Sequence, residues 1–309
     1  MPDFTVAVVT CNRASYLDRL LESIAAQERL PDEVLVVING ADDETDEVVR
    51  RHRSSFQALS VPFDDIDRSG DLNLPAGRNV ALARASGDVL CFLDDDTVAE
   101  PTWLQGIERG YRFADDVAAV GGPSIEVDET MTPTHEPVRS PENINFLNKY
   151  GEVSENTDRW IPPEPVRTQK LEGSNMSFDI DVLREISGFD PGYRGHPIHE
   201  DSDVMAKLWK RGKTVIYHPE AMVYHRKASG GGFPGERGRK RYRYWKGRNS
   251  IRYRKQNFSE TYSISLLRLL LYTTYDPPPV WMHLGATLLT RRKRYLWQLA
   301  GYVDGVRKE

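Results

Sequence analysis

Residues Val89 to Pro101 read VLCFLDDDTVAEP. The apolar run Val89 to Leu93 is long enough for a buried strand and too short for a typical helix. It delivers three consecutive carboxylates, Asp94, Asp95 and Asp96, and Pro101 then suits the first turn of a helix. At the carboxyl end of a central strand in an open α/β sheet, side chains face the crevice where ligands bind. Carboxylates one residue apart on that edge are hard oxygen ligands, spaced to hold Mg²⁺ or Mn²⁺ against a diphosphate. The competing reading is a solvated acidic turn in which Asp96 or Thr97 caps the next helix.

Working outward from that strand, Phe4 to Val9 is another apolar run of strand length. Ser15 is expected to cap a helix, with Asp18 completing a box-like pattern and Leu17, Leu20, Leu21 and Ile24 on one face. Val34 to Ile38 is a second β-branched run, ended by the turn pair Asn39-Gly40. Thr45 to Arg51 reads as helix and Ala58 to Val61 as a weaker strand. Pro75 opens a helix that Ser86-Gly87 closes before the central strand. Trp103 to Phe113 reads as helix and Val117 to Val120 as strand. Strands alternating with helices of this length predict βαβ units and a parallel sheet.

From Gly122 to about Lys170 the chain is rich in Pro, Glu, Thr and Asn and shows no sustained period, as in a lid or an insertion on the acceptor side, or a surface excursion. Order returns at Leu171, where EGSNMSFD reads as a strand whose Gly marks a close backbone approach. A short helix near Ile180 to Ile186 and the turn SGFDPGY follow. His199, Glu200 and Asp201 lead into a helix with Val204, Leu208 and Trp209 on one face, closed at Gly212. Two short strands, Thr214 to Tyr217 and Ala221 to Tyr224, come next, with His225 at the end of the second. Beyond Gly230-Gly231-Gly232 and Gly235 lies the basic, aromatic-interleaved run Arg237 to Asn257. An apolar stretch from Ile264 to Tyr275, a break at Pro277 to Pro279 and a final basic amphipathic segment complete the chain.

The 309 residues suit one large α/β domain or two small ones, with ample chain for a core. A formal net charge of -5 argues against a dedicated nucleic-acid binder, and no nucleic-acid partner is expected. Cys11 and Cys91 read as buried thiols at strand ends rather than a disulfide framework. The start MPDFTVAVVT shows no secretory pattern, and no run reaches the ~18 apolar residues of a membrane span. The expected location is cytoplasmic.

Four stretches, taken together and in order, carry a resemblance. They are VAVVTCNRASYLDRLLESI, LPAGRNVALARASGDVLCFLDDDTVAEPTWL, LEGSNMSFDIDVLREISGFD and HEDSDVMAKLWKRGKTVIYHPEAMVYH. The chain resembles the family 2 glycosyltransferases from Phe4 to about Asn257. These are inverting sugar transferases with the GT-A fold, a Rossmann-like α/β architecture with a mixed, mostly parallel central sheet flanked by helices. The resemblance implies a catalytic domain over residues 1–235, comprising a nucleotide-binding half to about 121, an insertion over about 122–170 and an acceptor half to 235. Residues 236–309 then form a basic helical extension.

The resemblance further implies a single displacement on a nucleotide-diphospho-sugar, which asks for a base and for positive charge at the leaving diphosphate. Carried over by position, Asp201 is the general base and Glu200 its neighbour or substitute. Asp96 is the main ligand of Mn²⁺ or Mg²⁺, Asp94 stands beside it, and His225 makes a further metal or diphosphate contact. Thr10, Asn39, Arg78, Asp94 and Asp95 fall on the nucleotide side. His199 and His218 are read as structural. One position departs from the family: Ile38 stands where an Asp usually binds the pyrimidine base, with Asn39, Asp42 or Asp43 as substitutes. UDP- and dTDP-sugars are the first expectation and GDP-sugars the next. The expected acceptor is a glycan or lipid-linked saccharide, and the basic run with the apolar stretch after it suggests peripheral contact with an anionic membrane at its inner face. Two other readings are a nucleotidyltransferase, which leaves the HED segment unexplained, and a non-catalytic sugar-binding relative, against which the intact Asp94, Asp96 and Asp201 argue.

Overall fold

Three strands buried on both faces form the nucleus of the main sheet, β1 (Phe4–Thr10), β2 (Glu33–Ile38) and β4 (Val89–Asp94), and the more polar β3 (Phe63–Asp67) is the edge strand beside β2. β1 pairs in parallel with β2 and β4, and β2 with β3. Continuous Val/Ile/Leu runs are what a sheet covered on both faces requires. The crossovers are α1 (Ala14–Ala25), α2 (Thr45–Ala58) and α3 (Leu74–Arg84). In the computed structural model, residues 2–68, 73–140, 142, 145–154, 159–195, 197–228, 239–271 and 296–308 are described.

After β4 come β5 (Thr97–Ala99), α4 (Trp103–Tyr111), β6 (Val117–Gly121) and β7 (Ser124–Glu126). Five two-residue strands follow: β8 (Val138–Arg139), β9 (Phe146–Leu147), β10 (Val153–Ser154), β11 (Trp160–Ile161) and β12 (Val166–Arg167). Then come β13 (Asn175–Asp179), α5 (Ile180–Glu185), α6 (Glu200–Lys210), β14 (Thr214–Tyr217) and β15 (Val223–His225). The main sheet runs β12-β14-β6-β13-β4-β1-β2-β3, and β5-β15-β7 form a small second sheet. β13 is antiparallel to both its neighbours, β4 and β6, so the sheet is mixed. This is the expected architecture.

Several local expectations are corrected. Ser15 does not cap α1: the helix begins at Ala14, whose N–H donates to Asp43 Oδ2 at 2.9 Å. Asp18 instead reaches across to α2, where it meets Arg51 and His52. Ala58 to Val61 is not a strand; α2 continues through Ala58, and the strand lies at Phe63–Asp67. Its three aspartates hide an apolar signal while blunting the edge of the sheet. The strand expected from EGSNMSFD begins only at Asn175. Cys91 lies within β4 rather than at its end. The stretch 122–170 is not structureless, but two-residue strands are too short to display a period. Of the two strands after α6, β14 joins β6, and β15, which begins at Val223 and includes His225, joins β5 and β7.

The C-terminal part contributes α7 (Arg239–Asn257), a single 3₁₀ turn (Ser259–Thr261), α8 (Tyr262–Leu271) and α9 (Leu296–Lys308). α7 packs on α6 and α9. A Cβ on Gly301 would overlap the Tyr244 carbonyl and one on Gly247 the Gln298 carbonyl, so the two helices meet backbone to backbone. α7 is not a free cationic rod. Lys246, Asn249, Ser250, Arg254 and Asn257 are buried, Arg252 pairs with Asp190 at 2.8 Å, and Asn257 donates to Asp203 at 2.6 Å. The run Gly230 to Gly232, Gly235, the tripeptide Pro277 to Pro279, the apolar stretch past Leu271 and the basic residues at 291–294 lie outside the described residues.

Candidate active site

β4 ends at Asp94, and the chain turns through Asp95 and Asp96 into β5. The parallel register Val9↔Asp94 sets Thr10 beside Asp95. Thr10 Oγ1 donates to Asp95 Oδ2 at 2.8 Å, and Arg13 Nη1 donates to Asp95 Oδ1 at 2.9 Å. Asp95 is buried, and desolvation pushes its carboxyl up against the pull of Arg13. The middle aspartate is therefore an anchor that fixes the turn, while Asp94 stays half-exposed. Thr97 does not cap a helix; it opens β5, and its hydroxyl donates to the Asp94 carbonyl at 2.8 Å.

β5 explains how His225 reaches this turn. The antiparallel pair β15–β5 places His225 opposite Thr97, one residue from Asp96. His225 Nε2 lies 3.2 Å from Asp96 Oδ1, and the Ala228 N–H donates to Asp96 Oδ2 at 2.7 Å. Burial opposes ionisation of Asp96, but the imidazole, Arg13 and the Ala228 N–H outweigh it and hold the carboxyl below the usual range. Burial also opposes a charged His225, yet Asp96 raises that imidazole to about 9. One ligand atom from each of Asp94, Asp96 and His225 falls within 4.8 Å of the others. Asp96 Oδ1 is buried without hydrogen-bond geometry to any described group. Two carboxylates and an imidazole, once the imidazole gives up its proton, fit a divalent cation such as Mn²⁺.

The opposite wall is the start of α6. His199 precedes it in the left-handed region (φ 72°), its ring stacked on Tyr253 of α7 at 4.9 Å and its Nε2 3.1 Å from Ser250 Oγ. Burial, with Arg254 and Lys246 nearby, drives His199 down to about 3, so its ring is neutral. Glu200 is buried against Arg78, which also donates to Asp94 Oδ1 at 3.0 Å and to the Gly173 carbonyl at 2.8 Å. A Cβ on Gly173 would lie 3.1 Å from Glu200 Oε1, the close approach anticipated for that glycine. Burial raises Glu200 to about 7 despite Arg78. For Asp201, burial is overcome by Lys170, whose Nζ meets Oδ2, and by the Ser202 N–H on Oδ1 at 2.6 Å; its carboxyl sits below the usual range.

Both walls line one cleft of about 690 Å³. Asp94, Asp95, Asp96, His225, Arg78, Glu200 and Asp201 all face it; Thr10 and Asn39 do not. Asn39 is buried at the end of β2, its N–H on the Thr10 carbonyl at 2.9 Å. Asp43 is committed to Ala14 and Thr45, and Ile38 is buried in the core. Arg13, Lys170 and, from α7, Tyr242 and Lys246 were not singled out from the sequence. Arg13, Tyr242 and Lys246 line the cleft, and Lys170 touches Asp201.

With residues 5–184, more than half of the sequence, the chain matches Glycosyl transferase family 2. It belongs to that family. The glucosyl-dolichyl phosphate glucuronosyltransferase of Haloferax volcanii is 28% identical over 239 residues, covering 72% of this chain and 69% of that protein. Glycosyltransferase AglE of the same organism is 29% identical over 129 residues, 41% of this chain and 38% of its own length. Among solved structures, the mannosyltransferase PcManGT from Pyrobaculum calidifontis, in complex with GDP-Man and Mn²⁺, superposes with a TM-score of 0.59 at 17% identity, covering 100% of this chain and 88% of that one. S. aureus TarS 1-349 in complex with UDP-GlcNAc gives 0.58 at 14% identity, with 99% and 90% covered. Such identities speak for the shared GT-A fold. This family 2 member is a glycosyltransferase.

Proposed function

We propose that the protein moves a sugar from a nucleotide-diphospho-sugar to an acceptor hydroxyl by a metal-dependent, inverting single displacement. The observation that carries this reading is the gathering of Asp94, Asp96 and His225 within 4.8 Å, in the same cleft as an ionised Asp201. The acceptor hydroxyl attacks the anomeric carbon from the face opposite the diphosphate. Asp201 takes the hydroxyl proton, the bond from the anomeric carbon to the diphosphate oxygen breaks, and nucleoside diphosphate leaves. Asp94, Asp96 and His225 would hold the divalent cation, which when bound offsets the charge gathering on the leaving diphosphate. Arg78 braces Asp94 and Glu200, one on each wall, and Asp95 with Arg13 and Thr10 fixes the turn.

UDP- or dTDP-sugars are the first donors to try and GDP-sugars the next; two solved structures of similar fold are in complex with GDP-Man and with UDP-GlcNAc. A glycan or lipid-linked saccharide is the acceptor class, in keeping with a relative named for glucosyl-dolichyl phosphate. Incubation with each sugar nucleotide, Mn²⁺ and polyprenyl-phosphate-linked glucose, followed by NMR of the new glycosidic bond, tests the reading. A product of retained anomeric configuration, or turnover undiminished by chelator, contradicts it.

The reading includes peripheral contact with an anionic membrane. Ile264, Leu267, Leu296, Trp297, Val303 and Val306 are exposed on α8 and α9, and no helix among the described residues is long and apolar enough to cross a bilayer. Sedimentation with phosphatidylglycerol vesicles checks this; protein left wholly in the supernatant rules it out.

A further inference from the structure

Lys170 ends the irregular stretch before β13 and is fully buried. Its ammonium donates to the Leu171 carbonyl and to Asp201 Oδ2. A cation in the interior is tolerated when it is paired and hydrogen-bonded, and an unpaired one is costly. Asp201 is gripped at both oxygens, Oδ2 by Lys170 and Oδ1 by the N–H and hydroxyl of Ser202, at 2.6 and 3.2 Å. Its rotamer is thus set from two directions, by the start of α6 and by the end of the preceding stretch.

We propose that Lys170 is a positioning residue for the reaction: its buried ammonium pins the Asp201 carboxylate in the cleft and supplies the positive charge that a buried base needs. The inference rests on the reading of Asp201 as the base. Glu200 and Asp201 are neighbours at the same helix start with opposite fates. Burial leaves Glu200 near neutrality even with Arg78 against it, whereas Lys170 reverses the effect of burial at Asp201. Environments that push two adjacent carboxyls apart point to different roles, and Asp201 is the one held fully ionised at neutral pH. Lys170 faces Asp201 from the segment before β13, Arg78 from α3, and Glu200 and His199 from the start of α6, with Lys246 of α7 acting on His199. Of these, Arg78 is spent on Asp94, Glu200 and Gly173, and the neutral His199 carries no charge to offer.

The test is a ¹³C NMR titration of the full chain with aspartate carboxyls labelled, Asp201 being assigned by its loss in Asp201→Asn. In the wild type Asp201 stays ionised down to ~pH 5, as a carboxylate with a midpoint at or below the ordinary ~3.9 does. In Lys170→Met the midpoint climbs toward neutrality, and in Lys170→Arg it stays near the wild-type value. An Asp201 midpoint unmoved in Lys170→Met, even alongside a lower Tm, makes Lys170 a purely structural lysine and overturns the proposal. If Lys170→Met does not fold, the wild type decides alone, and a midpoint near neutrality there is fatal. UDP and GDP binding with Mn²⁺, measured on the same wild-type sample, reports separately on the functional reading: its absence sinks that reading and leaves the titration standing.

Discussion

Nε2 of His225 lies 3.2 Å from Oδ1 of Asp96, though one residue comes from the central strand of the small sheet and the other from the turn after β4. The link between them is backbone pairing: β15 runs antiparallel to β5, and the Arg226 N–H donates to the Asp96 carbonyl at 2.9 Å. Backbone pairing thereby holds a histidine and a carboxylate far apart in sequence as neighbours.

Removing the base should cost rate without costing donor binding. Asp201→Asn is expected to lower kcat by about 10²–10⁴, the range of general base catalysis, while the Kd for nucleoside diphosphate stays within a factor of a few. Steady-state rates beside calorimetric titration separate the two; unchanged kcat would move the base elsewhere.

Arg78 is nearly fully buried and bridges Asp94 on one wall to Glu200 on the other. Taking away one partner of a buried ion pair strands the others, so Arg78→Met is expected to lose about 3–5 kcal/mol in urea unfolding. A loss below ~1 kcal/mol would mean that water reaches these carboxylates.

Glu200 gives a pH signature of defined sign. Its carboxyl is raised in the fold to about 7 by burial, with Asp201 adding to the effect and Arg78 opposing it. The native state therefore holds a proton that the unfolded chain releases at lower pH, and the contribution of Glu200 is most favourable below its unfolded value and falls as pH rises through about 7. Relative to wild type, Glu200→Gln should gain stability between ~pH 5 and ~pH 8, by up to about 3 kcal/mol. Urea melts of both proteins at the two pH values check this; a constant difference contradicts it.

Much of the sheet was legible because buried parallel strands carry their signal locally. Val6 to Val9, Val34 to Ile38 and Val89 to Leu93 are apolar without interruption, and α3 carries its Asn73 cap and Pro75 where the pattern placed a helix start. The carboxylates of the DDD turn, Glu200-Asp201 and His225 were found as motifs, and the fold brings all of them to one cleft. What escaped was long-range. Nothing around Lys170 in a Pro- and Glu-rich stretch announces that it meets Asp201, thirty-one positions on. Thr10 was assigned to the nucleotide, but the β1–β4 register turns its hydroxyl to Asp95 instead. The basic run of α7 suggested an exposed cationic surface because composition records charge and not burial; half-hidden behind α6 and α9, much of that charge serves the fold.

The most direct test of the central claim is thermal stabilisation by UDP, dTDP, GDP and CMP, each with and without Mn²⁺, on wild type and Asp96→Asn. A ligand that binds only the native state at a hundredfold excess over Kd adds about 2.7 kcal/mol, several degrees in Tm. One of the diphosphates is expected to raise the Tm of the wild type only when Mn²⁺ is present, with no such rise in Asp96→Asn. A wild type that responds to none of them, or a mutant that responds equally well, would contradict a metal-dependent nucleotide-sugar site at Asp94, Asp96 and His225.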